Sequence, residues 1–418
     1  MATMTTLDAI TKTFYMNNKV INQVHSKSIL YNRTAKKAQT DVSGKNYIYA
    51  IRTGRNRYAG RGISEGGDYG TVGSQSTANV VVPNAEVVTP IELSARVLNA
   101  ATGSNRGAFV SAFRLETEYG MADTIQALNR QLNSDGTDAH FFWKGADDTS
   151  GTVVDDGQGH AFPIFMETGT TLFDIVDASA LPTQTLLGTA IPLVKGAEGA
   201  TDLAITWASG TISGTADGDF AVMSGTLGKQ MMGIRGIVDN VDPPLLSGGL
   251  HGITVASNPD WAAQVFANGG TNRDLTLALM QSPLTQIGLR SASSEADIDL
   301  LLSNGFVKDK YIALLVADQR HVNVTKLKGG QTGVEFNGKT LVVDPQCRRN
   351  VLYYINTDSL DFLTASNGIG WADFDGSKWV KKIGSSGYAA AYQAFITIEG
   401  NLATTQRNAN AVLKDITD

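Results

Sequence analysis

Residues Gly44 to Leu132 constrain this chain more than any others, because they place an extended arm directly before a long helix. The arm reads as two β-like runs, Tyr47-Ile48-Tyr49-Ala50-Ile51 and Val80-Val81-Val82 continuing through Val87-Val88. Between them the tip holds Gly54, Gly60, Gly62, Gly66, Gly67, Gly70 and Gly73, together with Arg52, Arg55, Arg57 and Arg61. Gly107 to Leu132 then reads as a helix, about 39 Å long at roughly 1.5 Å per residue. A tip with so few apolar side chains cannot bury itself, and a lone hairpin is marginal in water. Such an arm finds its order on another molecule, which points to assembly before catalysis.

The rest of the chain supplies a body for that arm. Hydrophobic residues make up 42% of the 418 and charged residues 18%, enough for a sizeable core and two or three domains. The single cysteine, Cys347, excludes an intrachain disulfide framework and fits a reducing interior. Residues 1–20 carry Asp8, Lys12 and Lys19 with no continuous apolar segment, so no secretory signal is expected. No run approaches the roughly 18 apolar residues of a membrane span.

The net charge of −6 hides an asymmetry. Through Gly62 there are eleven Lys/Arg and two Asp/Glu, a balance of +9, which leaves 23 positives against 38 negatives, or −15, for the remainder. A basic arm on an acidic body suits docking on a neighbour, contact with packaged nucleic acid, or both. The plainer alternative is solvated charge on loops.

Along the chain, residues 1–40 read as an extended or partly helical arm. Pro90 and Ser94 lead into a short helical piece around Ala95 to Ala101. Ser104-Asn105 caps the long helix, whose apolar stripe is Phe109, Phe113, Met121, Ile125, Leu128 and Leu132, with Gly120 allowing a bend and Gly136 the stop. Asp135 to Gly159 reads as loop. Phe162 to Met223 reads as β structure, with strands at Leu172–Val176, Ile205–Trp207 and Phe220–Met223, and Gly233 to Val238 continues it. Helices are expected at Asn272 to Ile287, Ser294 to Leu302 and Gln319 to Lys328. A buried strand is expected at Tyr311 to Val316, hairpins at Asn337-Gly338 and Asp375-Gly376, and a long strand at Tyr388 to Ile398.

One segment fits a nucleotide-binding expression. Gly333-Val334-Glu335-Phe336-Asn337-Gly338-Lys339-Thr340 satisfies G-x-x-x-x-G-K-[ST], whose chemistry needs a strand before the loop and a helix after it. Here Val324 to Leu327 looks helical and Leu341-Val342-Val343 looks like strand, so Asn-Gly reads instead as a two-residue hairpin turn. Gly60-Arg61-Gly62 resembles an Arg-Gly nucleic-acid tract, although arginines at a hairpin tip serve equally well to grip carboxylates. His25, His140, His160, His251 and His321 lack metal-ligand spacing, and Asp147-Asp148 and Asp155-Asp156 read as solvated loop acids. No metal, cofactor or catalytic residue is expected.

The order of parts resembles a tailed-bacteriophage major capsid protein of the Hong Kong phage type. Thr53-Gly54-Arg55-Asn56-Arg57 through Arg61-Gly62-Ile63-Ser64-Glu65-Gly66-Gly67 resembles that family's extended loop. Gly107-Ala108-Phe109-Val110 and Asn129-Arg130-Gln131-Leu132 through Asp135-Gly136 resemble the ends of its spine helix. Gly233-Ile234-Arg235-Gly236-Ile237-Val238-Asp239 looks like the segment after its β insertion. The resemblance implies an α+β fold with an N-terminal arm (1–43), an extended β-hairpin loop (44–93), a peripheral domain (94–161 and 384–418) with spine helix 107–132, and an axial domain with a β-rich insertion (162–383).

It also implies a non-enzymatic shell subunit of a phage head, forming pentamers and hexamers around double-stranded DNA in the virion and assembled in the host cytoplasm. Partners would be copies of itself and scaffolding, portal and decoration proteins, with no membrane. The tip residues Arg52, Arg55, Arg57, Arg61 and Glu65 are the candidate intersubunit contacts. The tip has no lysine and Lys45 sits at its base, against a covalent crosslink of the kind some members make. The rival readings are an encapsulin-type compartment shell, a nucleotide-binding protein using Gly333 to Thr340, and an Arg-Gly nucleic-acid binder.

Overall fold

The computed structural model describes residues 28–34, 46–56, 58–60, 62–68, 73–95, 106–143, 152–154, 171–198, 202–207, 210–291, 295–317, 324–326, 332–364, 369–373, 376–384 and 387–417. A short helix, α1 (Ile29–Thr34), comes first. Strands β1 (Asn46–Gly54) and β2 (Ser76–Pro83) then form the antiparallel arm hairpin, in register from Asn46↔Pro83 to Arg52↔Thr77. The expected run into Val87-Val88 is interrupted at Asn84: β3 (Ala85–Ser94) leaves the hairpin for a different sheet. Its alternation explains the departure, because Val87, Ile91 and Leu93 are all buried. Pro90 lies within a strand, whose edge position tolerates the missing donor, and Ala95, the first residue of the expected helical piece, is helical. Residues 96–105, including the expected cap at Ser104-Asn105, are outside the described set.

The long helix α2 spans Arg106–Asn133. Ala122, Thr124, Leu128 and Leu132 are buried, Met121 and Ile125 half-buried, and the side chains of Phe109 and Phe113 are outside the described set. Gly120 is a point of close approach rather than a bend. A Cβ there would come within 2.8 Å of Ile91 Cδ1 and 3.4 Å of Ile396 Cδ1, so its absence lets the helix lie on the β3 sheet. Gly136, at φ +89°, follows the helix end as read.

The expected loop from Asp135 is closed at its start. Asp135, Thr137, Asp138 and His140 are buried, leading into β4 (Phe141–Phe142). The insertion is a six-stranded sheet of β4, β5 (Thr152–Val154), β6 (Leu172–Val176), β7 (Leu186–Glu198), β8 (Asp202–Trp207) and β9 (Phe220–Met223), ordered β4-β9-β6-β7-β8-β5. It carries its own core, with Phe141, Trp143, Phe173, Ile175 and Leu193. Gly233 to Val238 does not extend the β pattern: Ile234–Ile237 forms one helical turn, α3. A side chain at Gly233 would sit 2.7 Å from the Leu132 carbonyl carbon, so glycine lets this turn press against the end of α2.

A second, seven-stranded sheet forms the body. Its members are β10 (Gln264–Phe266), β11 (Leu300–Ser303), β12 (Val324–Lys326), β13 (Thr332–Phe336), β14 (Lys339–Val343) and β15 (Leu352–Ile355). The C-terminal Ala411–Leu413 strand inserts between β10 and β15. Successive residues of its strands divide between two cores. Leu300, Leu302, Val342, Tyr353 and Ile355 face α2 and the arm root, with Tyr47, Val80, Val82, Leu128 and Leu132. Leu301, Leu341, Leu352 and Tyr354 face the helices α4 (Leu277–Arg290) and α5 (Gly305–Ala317).

Three expectations fail here for one reason. Of the helix expected at Ser294 to Leu302 only a 3-10 turn at Glu295–Asp297 forms, and Leu300–Ser303 is a strand buried throughout its length, so its apolar run shows no alternation. The strand expected at Tyr311 to Val316 lies instead in α5, where Val307, Tyr311 and Leu315 recur every fourth residue on the buried face. The expected helix from Gln319 contains the strand β12 at Val324–Lys326, while 318–323 and 327–331 are outside the described set. Short apolar runs do not reveal their period.

The third sheet is organised by one strand. After β16 (Leu360–Leu363), β17 (Gly370–Trp371) and β18 (Val380–Gly384) comes β19 (Gly387–Thr404), 18 residues that pair with all three and, antiparallel, with β3. Of the expected hairpin at Asp375-Gly376, Asp375 is outside the described set; the flanking β17 and β18 each pair with β19, and Trp371 and Trp379 meet, ring centres 6.1 Å apart.

Asn337 and Gly338, at φ +47° and +74°, close the β13–β14 hairpin as a tight two-residue turn. No loop wraps a phosphate there, which removes the nucleotide reading. Gly338→Val is expected to cost about 1–3 kcal/mol because a β-branched residue resists positive φ, while Lys339→Ala should stay within about 0.5 kcal/mol. Denaturant melts of the two variants check this; equal effects would contradict the turn assignment.

Candidate assembly surfaces

The arm is fixed at its root and open at its tip. Tyr47, Val80 and Val82 are buried in the main core, and the Tyr49 hydroxyl donates to the Thr404 carbonyl at 2.8 Å. The Val81 N–H donates to the His251 carbonyl at 2.9 Å. Past the register shift between Arg52 and Gly54 the strands leave the body. Every described residue of 58–60 and 62–68 is exposed, including Tyr58 and Ile63. The tip holds its shape by local bonds. The Asn56 side chain donates to the Gly73 carbonyl at 3.0 Å and accepts from the Tyr58 N–H at 2.9 Å. Gly67 N–H reaches the Ser64 carbonyl at 2.9 Å.

Of the candidate contacts, Arg52, Arg55 and Glu65 are exposed, and Arg57 and Arg61 lie outside the described residues. Among the described residues the Arg52 side chain donates to the nearby Gly54 carbonyl at 3.3 Å. Neither Arg55 nor Glu65 has an ion-pair partner among the described residues. Beneath the arm, Ile51 to Thr53, Asp260, Trp261 and Gln406 line a groove of about 470 Å³.

An unbalanced acidic pair lies on the outer face of the β3–β19 sheet. Glu86 stands directly opposite Glu399, and like charges so placed repel. Burial, then Glu399, pushes the Glu86 carboxyl above its usual range. Neither carboxylate meets a cation among the described residues; by contrast Glu92, on the same strand, is paired with Lys382 at 2.8 Å.

Two buried polar centres emerge only in the folded chain. Arg407 is completely buried and donates to the carbonyls of Ile237 (2.8 Å), Gly236 (3.2 Å) and Val241 (2.6 Å), with Asp242 at 3.7 Å. Burial lowers its pKa to about 10 against the pull of Asp242 and Asp239, so it stays charged at neutral pH. The second centre is Asp344, which accepts from Asn129 at 2.9 Å and Asn133 at 3.3 Å, while Ser28 donates to Asn129 at 2.7 Å. It ties the N-terminal segment, α2 and the seven-stranded sheet together. The only sequence trace is polar residues on what should be the apolar face of α2.

Two of the histidines, His140 and His251, are buried apart, in the insertion and beside the arm root; His25, His160 and His321 are outside the described set. Among the described residues no group of His, Cys, Asp or Glu could hold a metal, and no helix is long and apolar enough to cross a membrane. Burial, then Arg407, lowers the His251 pKa to about 3; burial, then Arg130, holds His140 well below its usual value. Both stay neutral in the fold while the unfolded chain binds protons below about pH 6.5. Stability is therefore complete above that pH and falls as pH drops toward the folded values, by up to about 1.4 kcal/mol per pH unit for each histidine. His251→Gln should flatten the decline in melting temperature between pH 6.5 and 4; an unchanged slope would contradict this.

No family model matches this sequence, and no curated protein matches it. Solved structures do. The capsid asymmetric unit of cyanophage A-1(L) is 13% identical with a TM-score of 0.58, covering 98% of this chain and 97% of that one. The holo-SrpI encapsulin complex of Synechococcus elongatus PCC 7942 is 9% identical at TM-score 0.48, covering 100% and 96%. The structure titled Mycobacterium phage Bobi is 8% identical at 0.48, covering 100% and 99%. The first likeness, end to end in both chains, is one of fold.

Proposed function

We propose that this chain, which has the fold of a phage capsid subunit, is the repeating subunit of an icosahedral head, forming pentamers and hexamers that enclose double-stranded DNA. The observation that carries the reading is the arm: its root is built into the core, and its arginine-bearing tip has no receptor among the described residues of its own chain. A tip of this composition gains its contacts on a neighbouring copy. The Glu86–Glu399 pair, lacking a cation, is the counter-charge best suited to receive it.

In this reading the division follows the family pattern of extended loop, peripheral domain and axial domain, with β3 counted with β19 in the peripheral sheet and the Ala411–Leu413 strand counted with the axial body. The protein acts structurally, not as an enzyme, and resides in the virion after assembly in the host cytoplasm. Scaffolding, portal and decoration proteins would be its other partners, and DNA contact would be non-specific. Heterologous contacts that close into rings give a bounded shell rather than a fibre.

Negative-stain images of the purified full chain, with assay of particle content, test this. Uniform closed shells holding DNA are expected. Shells loaded with protein cargo would favour the compartment reading, and absence of shells would overturn both.

A further inference from the structure

A cavity of about 380 Å³ lies where the arm root, the end of α2, the insertion and the loop after α3 meet. Val81 lines it from the arm, Asp135 from the end of α2, Gln184 from the insertion, and Leu246 and His251 from the loop. Its back wall is fixed. The Asn401 side chain donates to the Pro83 carbonyl at 2.8 Å and accepts from the Met232 N–H at 2.7 Å, and the His251 carbonyl takes the Val81 N–H at 2.9 Å. A preformed concavity of this size at a junction of structural units is a usual setting for a small ligand. Two further features set it apart from a packing gap. His251 is 3% exposed, and its Nε2 has no hydrogen-bond partner among the described residues, which costs free energy until something answers it. His251 and Gln184 also hold φ angles of +56° and +59°, so two of the six described residues other than glycine with positive φ line this one cavity. Backbone strain of this kind gathers at binding sites.

Charge selects the ligand. Burial opposes the charge of Asp135, but Arg235 at 3.4 Å and the Thr137 hydrogen bonds outweigh it and hold the carboxyl below its usual range. Asp135 therefore borders the cavity as an anion that already has its cation, and a second anion is unwelcome. On the other side, burial and then Arg407 keep the His251 ring neutral, and the same guanidinium disfavours a cation beside it. Val81, Pro83, Met232 and Leu246 supply apolar wall. The fitting molecule is uncharged and apolar over most of its surface. Its polar group is best a hydroxyl, which can donate to the His251 nitrogen or accept from it, whichever tautomer is present.

We propose that this cavity binds an uncharged, largely apolar small molecule through a hydroxyl at His251 Nε2, bridging the arm root to the insertion. The site stands whether or not the chain forms shells. Probes of one skeleton test it on the full chain: 3-phenylpropan-1-ol, 3-phenylpropanoate and 3-phenylpropylammonium, followed by saturation-transfer NMR and thermal melts. The alcohol should bind with a dissociation constant of about 1 mM or tighter, in keeping with its roughly ten non-hydrogen atoms, and should raise the melting temperature. The two charged probes should bind at least about tenfold more weakly. His251→Asn tolerates positive φ and lacks the Nε2 position, so it should melt near the parent and weaken the alcohol at least about tenfold. Should that variant misfold, Ser247→Trp places an indole at the exposed rim and should abolish binding without disturbing the core. Absence of saturable binding, equal affinity for all three probes, or alcohol binding unchanged in both variants would overturn the site. Binding lost only in assembled particles, with Ser247→Trp unable to assemble, would give the cavity to a neighbouring copy's side chain and overturn the ligand assignment.

Discussion

Replacing Arg55, Arg57 and Arg61 together with glutamate is expected to abolish regular shells while leaving the subunit's melting transition near the parent's. The fold should survive because Arg55 is exposed and unpaired among the described residues, and the arm's stability comes from Tyr47, Val80 and Val82 at its root. Assembly should not survive, for a reason of number rather than strength. One exposed Arg–carboxylate pair contributes about 0–1 kcal/mol, but a shell repeats the contact on every subunit, and reversal turns each attraction into repulsion. Single substitutions should therefore be mild and more damaging at high salt, where the remaining pairs are screened. Adding Glu86→Lys and Glu399→Lys to the triple variant should restore particles if those carboxylates are the receptors. Normal shells from the triple variant would show the arginines to be merely solvated, and failure of the rescue would move the receptor elsewhere.

Arg407→Ala is expected to be the most destabilising single change, at about 3–5 kcal/mol. The guanidinium is fully buried and serves three carbonyls from the α3 region as well as Asp242, whose carboxylate in turn receives the Val255 N–H at 3.1 and 3.2 Å. Truncation opens a cavity, strands those carbonyls and leaves Asp242 without its cation. Lysine should rescue little, since a single ammonium cannot reproduce the planar fork that reaches Gly236, Ile237 and Val241 together. Thermal melts of the two variants check this; a loss under about 1 kcal/mol for alanine would mean water replaces the side chain at small cost.

Wherever local chemistry is decisive, the chain was legible. Asn337-Gly338 closes a hairpin because few residue pairs accept two positive φ angles in succession, and that alone removes the nucleotide motif. Gly136 ends α2 for a similar reason, and the extent of α2 followed from an apolar stripe at helical spacing that runs up to that stop. The arm was legible as an arm because glycine and arginine cannot make a core. What stayed hidden depends on partners distant in sequence. Leu300–Ser303 and Tyr311–Val316 are both short apolar runs, and only their neighbours decide that the first is a central strand and the second a helix face. Val87 follows the arm in sequence but belongs to the sheet of β19, more than three hundred residues away, because its side chain must lie beneath α2. The opposition of Glu86 to Glu399 and the carbonyls gathered around Arg407 exist only once those registers are set. Turn, cap and composition act over a few residues and are written in the sequence; register and burial are properties of surfaces that meet only in the folded chain.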